Sequence, residues 1–136
     1  MEISNGYFKQ ILALMSRNYL AGISNNTETH LVERAILYFY RNFSEDISID
    51  EYAQSLNITP CWFRRCFKKR TGTSPQQFIN NIRLSYAREL LITSDLKISE
   101  IANTVGYENS YYFSRIFSKN TGCSPMQFKK NNQENQ

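Results

Sequence analysis

A repeat within the chain constrains its fold more than any other feature. The segment "FKKRTGTSPQQF" at residues 67–78 returns fifty positions later as "FSKNTGCSPMQF" at residues 117–128. When residues 63–78 are aligned with residues 113–128, ten of the sixteen positions carry the same amino acid, whereas chance would give about one match. The chain is therefore expected to form the same local structure twice.

Each copy of the repeat predicts a short amphipathic helix. Ser48 with Glu51 predicts a capping box at the start of the first helix, whereas Lys97 stands in the corresponding place of the second copy and predicts a cap from elsewhere. Asn57 and Gly106 are predicted to end these helices, because both tolerate a left-handed backbone. The apolar positions have helical spacing and are Ile49, Tyr52, Ala53 and Leu56, then Ile98, Ile101, Ala102 and Val105.

A second helix is predicted after a short turn in each copy. Thr59 with Pro60 starts it in the first copy, and Asn109 starts it in the second. Thr-Gly pairs at residues 71–72 and 121–122 end it. Its apolar stripe is narrow and consists of Phe63, Cys66 and Phe67, then Phe113, Ile116 and Phe117. This succession is typical of the helix-turn-helix, whose second helix enters the major groove of DNA.

The opposite face of this second helix is polar and basic. Arginine can donate to guanine O6 and N7 together, while Ser and Tyr hydroxyls reach base edges or phosphates. A helical projection places on this face Cys61, Arg64, Arg65 and Lys68 in the first copy, and Ser110, Tyr111, Ser114, Arg115 and Ser118 in the second. A solvated charge, or an ion pair with the neighbouring short helix, is the alternative for Arg65 and Arg115. Trp62 and Tyr112 are predicted to pack rather than to stack on bases.

The distribution of charge favours a polyanionic partner. Lys and Arg number 16 against 12 Asp and Glu, which gives a net charge of +4. No acidic residue lies between Glu51 and Glu89, and none lies from Asn109 to Gln133. Both acid-free stretches cover the repeat, so double-stranded DNA is the predicted partner. The cations of the first stretch are Arg64, Arg65, Lys68, Lys69, Arg70, Arg83 and Arg88.

One continuous helix is predicted over residues 74–94, between the two copies. Ser74 and Pro75 supply its N-cap and first turn, and no Gly or Pro follows before Ser94. About 18 to 20 helical residues extend roughly 27 to 30 Å, close to the ~34 Å between successive major-groove faces. One chain could therefore place two recognition helices in adjacent grooves. The positions expected to face the two units are Phe78, Ile82, Leu84, Ala87, Leu90 and Leu91.

Both ends of the chain carry further predictions. A helix over "NNTETHLVERAILYFYRNF" is expected to pack on the first unit through Leu31, Ala35, Tyr38, Phe39 and Phe43, with His30 exposed or structural. Residues 1–26 predict an extra amphipathic helix with Phe8, Ile11, Leu12, Met15 and Tyr19 on one side. We expect that segment to come from a preceding domain or to mediate homodimerisation. Residues 132–136 are expected to be a disordered tail.

Catalysis, metal binding and membrane association are not indicated. Cys61, Cys66, Cys123 and His30 lack metal-ligand spacing and a nucleophile–base arrangement. We therefore predict no catalytic residue, no metal, no cofactor and no enzymatic activity. No apolar run approaches the ~20 residues needed to span a bilayer, and the first residues lack the features of a signal peptide. The predicted location is the cytoplasm.

The paired units resemble the DNA-binding domain of the AraC/XylS family of bacterial transcription regulators. The resemblance covers about residues 28–130, and its most specific part is "LITSDLKISEIANTVGYENSYYFSRIFSKNTGCSPMQF" in the second copy. It implies an all-α fold of about seven helices, with the extra N-terminal helix in addition. The helix-turn-helix subdomains would occupy residues 27–73 and 95–131, joined by the linker helix at residues 74–94.

The resemblance also implies which residues contact DNA. Base readout would fall to Cys61, Arg64, Arg65, Ser110, Tyr111, Ser114 and Arg115. We expect phosphate contacts from Thr59, Lys68, Lys69, Asn109, Ser118 and Lys119. Members of this family usually activate transcription by touching RNA polymerase, and most have a separate sensing or dimerising domain.

A rival interpretation is a protein-interaction module. In that case the apolar segment at residues 1–26 binds a partner, and the basic faces only keep the protein soluble. Elution from heparin at low salt, with no footprint on any promoter, would favour this interpretation.

Overall fold

Seven helices account for all regular secondary structure in residues 27–134, the part of the chain that the computed structural model describes. They are α1 Thr27–Asn42, α2 Ile49–Ser55, α3 Pro60–Thr71, α4 Pro75–Thr93, α5 Ile98–Thr104, α6 Ser110–Thr121 and α7 Pro125–Glu134. The predicted all-α class is confirmed. The extra helix predicted in residues 1–26 lies outside the described residues. None of the seven helices is long and apolar enough to cross a membrane.

The chain divides into two compact units, with the boundary between Ile82 and Arg83 inside α4. The first unit contains α1, α2, α3 and the first half of α4. The second contains the remainder of α4 with α5, α6 and α7. The segment predicted as a separate linker therefore supplies core residues to both units.

The two copies of the repeat have the same helix lengths and the same backbone turns. Helices α2 and α5 each have 7 residues, and α3 and α6 each have 12. Asn57 and Gly106 have positive φ angles of 60° and 107°, as predicted for the residues that end the short helices. Gly72 and Gly122, at φ 85° and 87°, end the longer ones. The same local sequence thus forms the same local structure twice.

Side-chain caps fix where the longer helices begin. The hydroxyl of Thr59 accepts the backbone N–H of Trp62 at 3.2 Å. In the second copy, Oδ1 of Asn109 accepts the N–H groups of Tyr111 and Tyr112 at 2.9 and 3.1 Å. Both predicted caps are confirmed, and each satisfies amide groups that the first turn would otherwise leave unpaired.

The short helices are capped in two different ways. The hydroxyl of Ser48 accepts the N–H of Glu51 at 3.2 Å, which is one of the two hydrogen bonds of the predicted capping box. Lys97 occupies the N-cap of α5, but its ammonium group has no lone pair and cannot accept a hydrogen bond. Instead, the Glu100 carboxylate reaches back and accepts the N–H of Lys97 at 3.1 Å.

Phe39 lies at the centre of the first unit's core. It is fully buried, and its ring centroid lies 5.6 Å from that of Tyr52, 5.7 Å from Phe67 and 6.5 Å from Phe63. Aromatic pairs of this kind add about 0.5 to 1.5 kcal/mol each beyond the burial of their area. The interface of α1 with the helix-turn-helix is therefore built on aromatic rings.

The second unit repeats the aromatic packing of α3 on the following helix. Phe67 meets Phe78 edge-on at 5.3 Å and 83°. Phe117 meets Phe128 at 5.5 Å and 81°. Equal geometry at equal positions shows that the repeat extends from the backbone into the core.

The buried stripe of α1 differs in part from the prediction. Leu31 is only half-buried and Tyr38 is 40% exposed. Val32 and Ile36 are fully buried instead. The predicted and observed stripes lie side by side on the helix and both have helical spacing, so the pattern alone did not separate them. Tyr38 instead stacks on Tyr52, with a centroid distance of 4.6 Å.

Two further predictions need correction. Leu90 of α4 is half-buried, whereas Ile79 and Tyr86 are buried. The disordered tail predicted for residues 132–136 is wrong for residues 132–134, because α7 continues to Glu134. In that helix, the side chain of Asn132 donates to the backbone carbonyl of Phe128 at 2.8 Å. Residues 135–136 lie outside the described residues.

Replacing Gly72 tests the left-handed cap. A Cβ at this position meets no atom within 4 Å, so a substitution changes only the cost of the positive φ. We expect Gly72→Ala to lower the free energy of unfolding by about 1 kcal/mol, and Gly72→Asn to lower it less, since Asn tolerates this conformation. Urea unfolding followed by fluorescence of Trp62, the one tryptophan, measures both. Equal losses for Ala and Asn would contradict the explanation.

Candidate nucleic-acid interface

The exposed face of α3 is strongly cationic. Arg64, Arg65, Lys68 and Lys69 are all exposed, and Cys61 is exposed one turn before them. The opposite side of the helix is buried through Phe63, Cys66 and Phe67. Since the buried stripe fixes the rotation of the helix, the predicted first-copy set lies on one accessible surface. We call α3 and its counterpart α6 the recognition helices.

The exposed face of α6 has a different chemistry. Tyr111 is 83% exposed, and Arg115 and Lys119 are also exposed. The three serines predicted for this face, at positions 110, 114 and 118, are half-buried. The face therefore presents hydroxyls and an aromatic ring beside its two cations.

Both capping residues keep a donor for an anion. Thr59 and Asn109 are exposed and use acceptor oxygens for their caps. A hydroxyl that accepts an amide proton can still donate its own, and the Asn109 amide nitrogen carries two donors. The predicted phosphate contacts of these residues are compatible with their capping role.

The arginines of the recognition helices differ in their partners. Arg64 Nη2 lies 2.6 Å from Asp50 Oδ1, so the ion pair with the neighbouring short helix that was the alternative for Arg65 and Arg115 is formed by Arg64. Arg65 and Arg115, at equivalent positions, form no ion pair with any residue in the described range. Among residues 27–134, these two guanidinium groups therefore have no ionic partner to lose when they approach DNA.

Besides Arg64, three more of the seven cations counted in the first acid-free stretch have partners inside the protein. Arg83 is buried, and its guanidinium carbon lies 5.1 Å from the ring centroid of Tyr107. Burial raises the pKa of that tyrosine to about 12, so its hydroxyl stays neutral and Arg83 packs as a cation on a neutral ring. Half-buried Arg70 lies 3.4 Å from Glu28, and Arg88 donates to Asn120 at 3.4 Å. The cationic surface is smaller than the sequence suggested.

The aromatic neighbours of the core stripe are only partly buried. Trp62 is half-buried. Tyr112 is 53% exposed and meets Tyr107 edge-on at 6.1 Å. One side of Tyr112 packs, as predicted, and its other side is accessible.

The three cysteines differ in exposure. Cys61 is exposed, Cys66 is buried and Cys123 is intermediate. Burial, together with the nearby Glu28 carboxylate, raises the pKa of the Cys66 thiol. Between residues 27 and 134 there is no group of three or more His, Cys, Asp or Glu side chains that could hold a metal ion.

One residue of the site was not predicted from the sequence. Asp50 contacts Arg64, although it lies fourteen positions before it. The available signal was the acidic first turn of α2, which also fits a purely helix-stabilising role.

Comparison with known proteins identifies the family. A family model described as "Helix-turn-helix domain" matches residues 52–131, which is more than half of the chain. The chain belongs to the AraC/XylS family of helix-turn-helix domains.

Three similar proteins illustrate how this AraC/XylS domain relates to longer regulators. It is 33% identical over 82 residues to the lactose operon transcription activator of Staphylococcus xylosus, covering 60% of this chain and 29% of that protein. It is 33% identical over 105 residues to the transcriptional activator Btr of Bacillus subtilis, covering 76% and 20%. The solved C-terminal domain of AraT, a response regulator from Geobacillus stearothermophilus, is 38% identical with a TM-score of 0.71, covering 74% of this chain and 84% of that domain.

These matches cover only part of the length of the curated relatives. The AraC/XylS domain spans between 20% and 29% of the length of the two curated relatives. The match includes both recognition helices, so the rival interpretation as a protein-interaction module is not favoured.

Thiol reactivity tests the exposed face of α3. We expect Cys61 to give the fastest reaction with a disulfide reagent, because its thiol is exposed and reactivity follows access. Cys66 should react only as the protein opens, since its thiol is buried and its raised pKa reduces the thiolate at pH 8. Absorbance of the released thiol measures the phases. Cys61→Ser should remove the fast phase and Cys66→Ser should leave it, and the opposite pattern would contradict the assigned orientation of α3.

Proposed function

We propose that this protein binds double-stranded DNA in a sequence-dependent way through α3 and α6, and that it thereby regulates transcription. The observation that carries the proposal is the repeated helix-turn-helix with an exposed arginine at the same place in each recognition helix. Arg65 and Arg115 lie fifty positions apart at equivalent places in the repeat, and both are exposed. Membership of the AraC/XylS family supports the same function.

Specific roles follow from the chemistry of the exposed groups. Arg65 and Arg115 would donate to guanine O6 and N7, because a planar guanidinium matches that pair of acceptors. Tyr111 would meet base edges or a thymine methyl group. The remaining base contacts are proposed for Cys61, Arg64, Ser110 and Ser114, and the phosphate contacts for Thr59, Lys68, Lys69, Asn109, Ser118 and Lys119.

The proposal also has α3 and α6 entering adjacent major grooves on one side of the duplex. Helix α4 has 19 residues, and a helix of that length extends about 28 Å. This length is close to the ~34 Å that separates successive major-groove faces. The groove spacing stays a prediction that only DNA-bound measurements can test.

Activation of transcription is the expected consequence of binding. Two of the relatives are named as transcription activators, and this supports contact with RNA polymerase as part of the proposal. Homodimerisation through residues 1–26 or through a sensor domain also stays a prediction. The proposed function requires access to the chromosome, which lies in the cytoplasm of a bacterial cell.

The salt dependence of binding tests the electrostatic part of the proposal. Each neutralised phosphate contributes about −0.9 to the slope of log K against log salt concentration. Five exposed cations of the recognition helices have no ion pair among residues 27–134, namely Arg65, Lys68, Lys69, Arg115 and Lys119, so a slope of about −4.5 is the expected upper magnitude. Fluorescence anisotropy with a labelled duplex measures it. Affinity that stays constant between low and high salt would contradict a phosphate-binding surface.

Arg115→Ala tests sequence-dependent binding. Its affinity for the preferred duplex should fall by about 1 to 3 kcal/mol, while its affinity for unrelated duplexes should fall much less. Lys130→Ala is the charge-matched control, since Lys130 is exposed on α7 outside the face of α6. It should weaken binding to all duplexes slightly and equally. Identical behaviour of the two variants would remove Arg115 from base recognition.

A further inference from the structure

The ion pair between Arg64 and Asp50 joins the two helices of the first helix-turn-helix at its exposed surface. Arg64 Nη2 donates to Asp50 Oδ1 at 2.6 Å, and the two side chains are 49% and 60% exposed. The contact uses one terminal nitrogen of the guanidinium group. Because that group has five N–H donors in a plane, an accessible edge remains for another acceptor.

The second unit lacks both members of the pair. Ser114 stands where Arg64 stands, and Ser99 stands where Asp50 stands. By contrast, Arg65 and Arg115 are identical at the neighbouring position of the recognition helices. Within this one chain, the arginine and the carboxylate therefore occur together or not at all.

Stabilisation of α2 does not account for Asp50. Glu51 and Glu100 supply an acidic residue at the same place in the first turn of α2 and α5, so both helices already have a favourable charge at the N-terminus. An exposed ion pair also contributes little to folding stability. The hydrogen bond that Asp50 accepts from Arg64 is therefore the better explanation of its role.

A nearby carboxylate changes which acceptors an exposed arginine prefers. Without Asp50, the Arg64 guanidinium would be a mobile cation able to pair with any phosphate. With Asp50, its charge is paired with a carboxylate, and its Nη2 atom is held by a charge-assisted hydrogen bond. A phosphate approaching the pair meets the carboxylate's like charge, whereas guanine O6 and N7 are neutral acceptors that fit the free edge of the guanidinium.

We propose that Asp50 is a positioning residue that holds Arg64 for a base and away from phosphates, which raises the sequence selectivity of the first unit. The inference rests on the proposed DNA-binding function. It assigns to the first unit a specificity device that the second unit lacks.

Asp50→Asn is the direct test, with Glu51→Gln as the control that removes the same charge from the same helix. Binding is measured by anisotropy on the preferred duplex, on base-substituted versions of it and on an unrelated duplex. For Asp50→Asn we expect affinity for the unrelated duplex to rise about two- to fivefold, with a salt slope steeper by up to ~0.9, because Arg64 can then neutralise a phosphate. Preference at one base pair should fall about fivefold or more. Glu51→Gln should leave that preference unchanged.

A double-variant cycle separates positioning from general charge. Arg64→Ala should lose preference at the same base pair, and adding Asp50→Asn to it should cause no further loss. If Asp50→Asn and Glu51→Gln shift binding alike, or if Asp50→Asn lowers only the urea midpoint while base preference is kept, the proposal is overturned. If the unaltered protein binds no duplex, the proposed function itself fails. These outcomes are therefore distinguishable.

Transfer of the pair to the second unit gives an independent test. Ser114→Arg alone should raise affinity for unrelated duplexes and steepen the salt slope. Adding Ser99→Asp should reverse most of both changes, because the new carboxylate would hold the new arginine. Failure of the second substitution to reverse the first would contradict the proposed effect of the carboxylate.

Discussion

Burial of two phenylalanines on one side of each recognition helix determines the orientation of every other residue on it. Phe63 and Phe67 in α3, and Phe113 and Phe117 in α6, are fully buried. Each buried side chain of this size contributes about 1.5 to 3 kcal/mol, whereas an exposed ion pair contributes about 0 to 1 kcal/mol. Core packing therefore sets the rotation of the helices, and the polar groups occupy whatever face remains. Arg65 and Arg115 are exposed because they lie on the opposite side of the helix from the buried stripe.

The elements that could be predicted from the sequence are those controlled by local interactions. The caps formed by Thr59 and Asn109 and the left-handed turns at Asn57 and Gly106 involve partners within a few residues. Such signals are visible in a single short segment. The repeat strengthened these predictions, because the same cap and turn signals occur at equivalent positions in both copies. The polar face of the recognition helices followed from the same periodicity.

The features that could not be predicted depend on partners distant in the sequence. Arg83 was counted among the cations that favour a polyanionic partner, but it packs on Tyr107, which lies 24 positions further along the chain. The pairing of Arg64 with Asp50 also requires the relative placement of two helices. In α1, helical periodicity fitted a buried stripe through Leu31 as well as one through Val32 and Ile36. Only the packing of α1 on the first unit's core shows which of the two stripes is buried. Composition cannot separate a cation that faces solvent from one that is buried on a ring.

The two recognition helices present surfaces of unlike chemistry within one chain, and selection from random duplexes tests most directly whether both surfaces read bases. The selection would be run with the unaltered protein, with Arg65→Ala and with Arg115→Ala, followed by sequencing of the bound duplexes. We predict a motif with two parts about one helical turn apart, in which each substitution erases preference in a different part. Loss of preference at the same positions for both variants, or a motif that neither variant alters, would contradict the account.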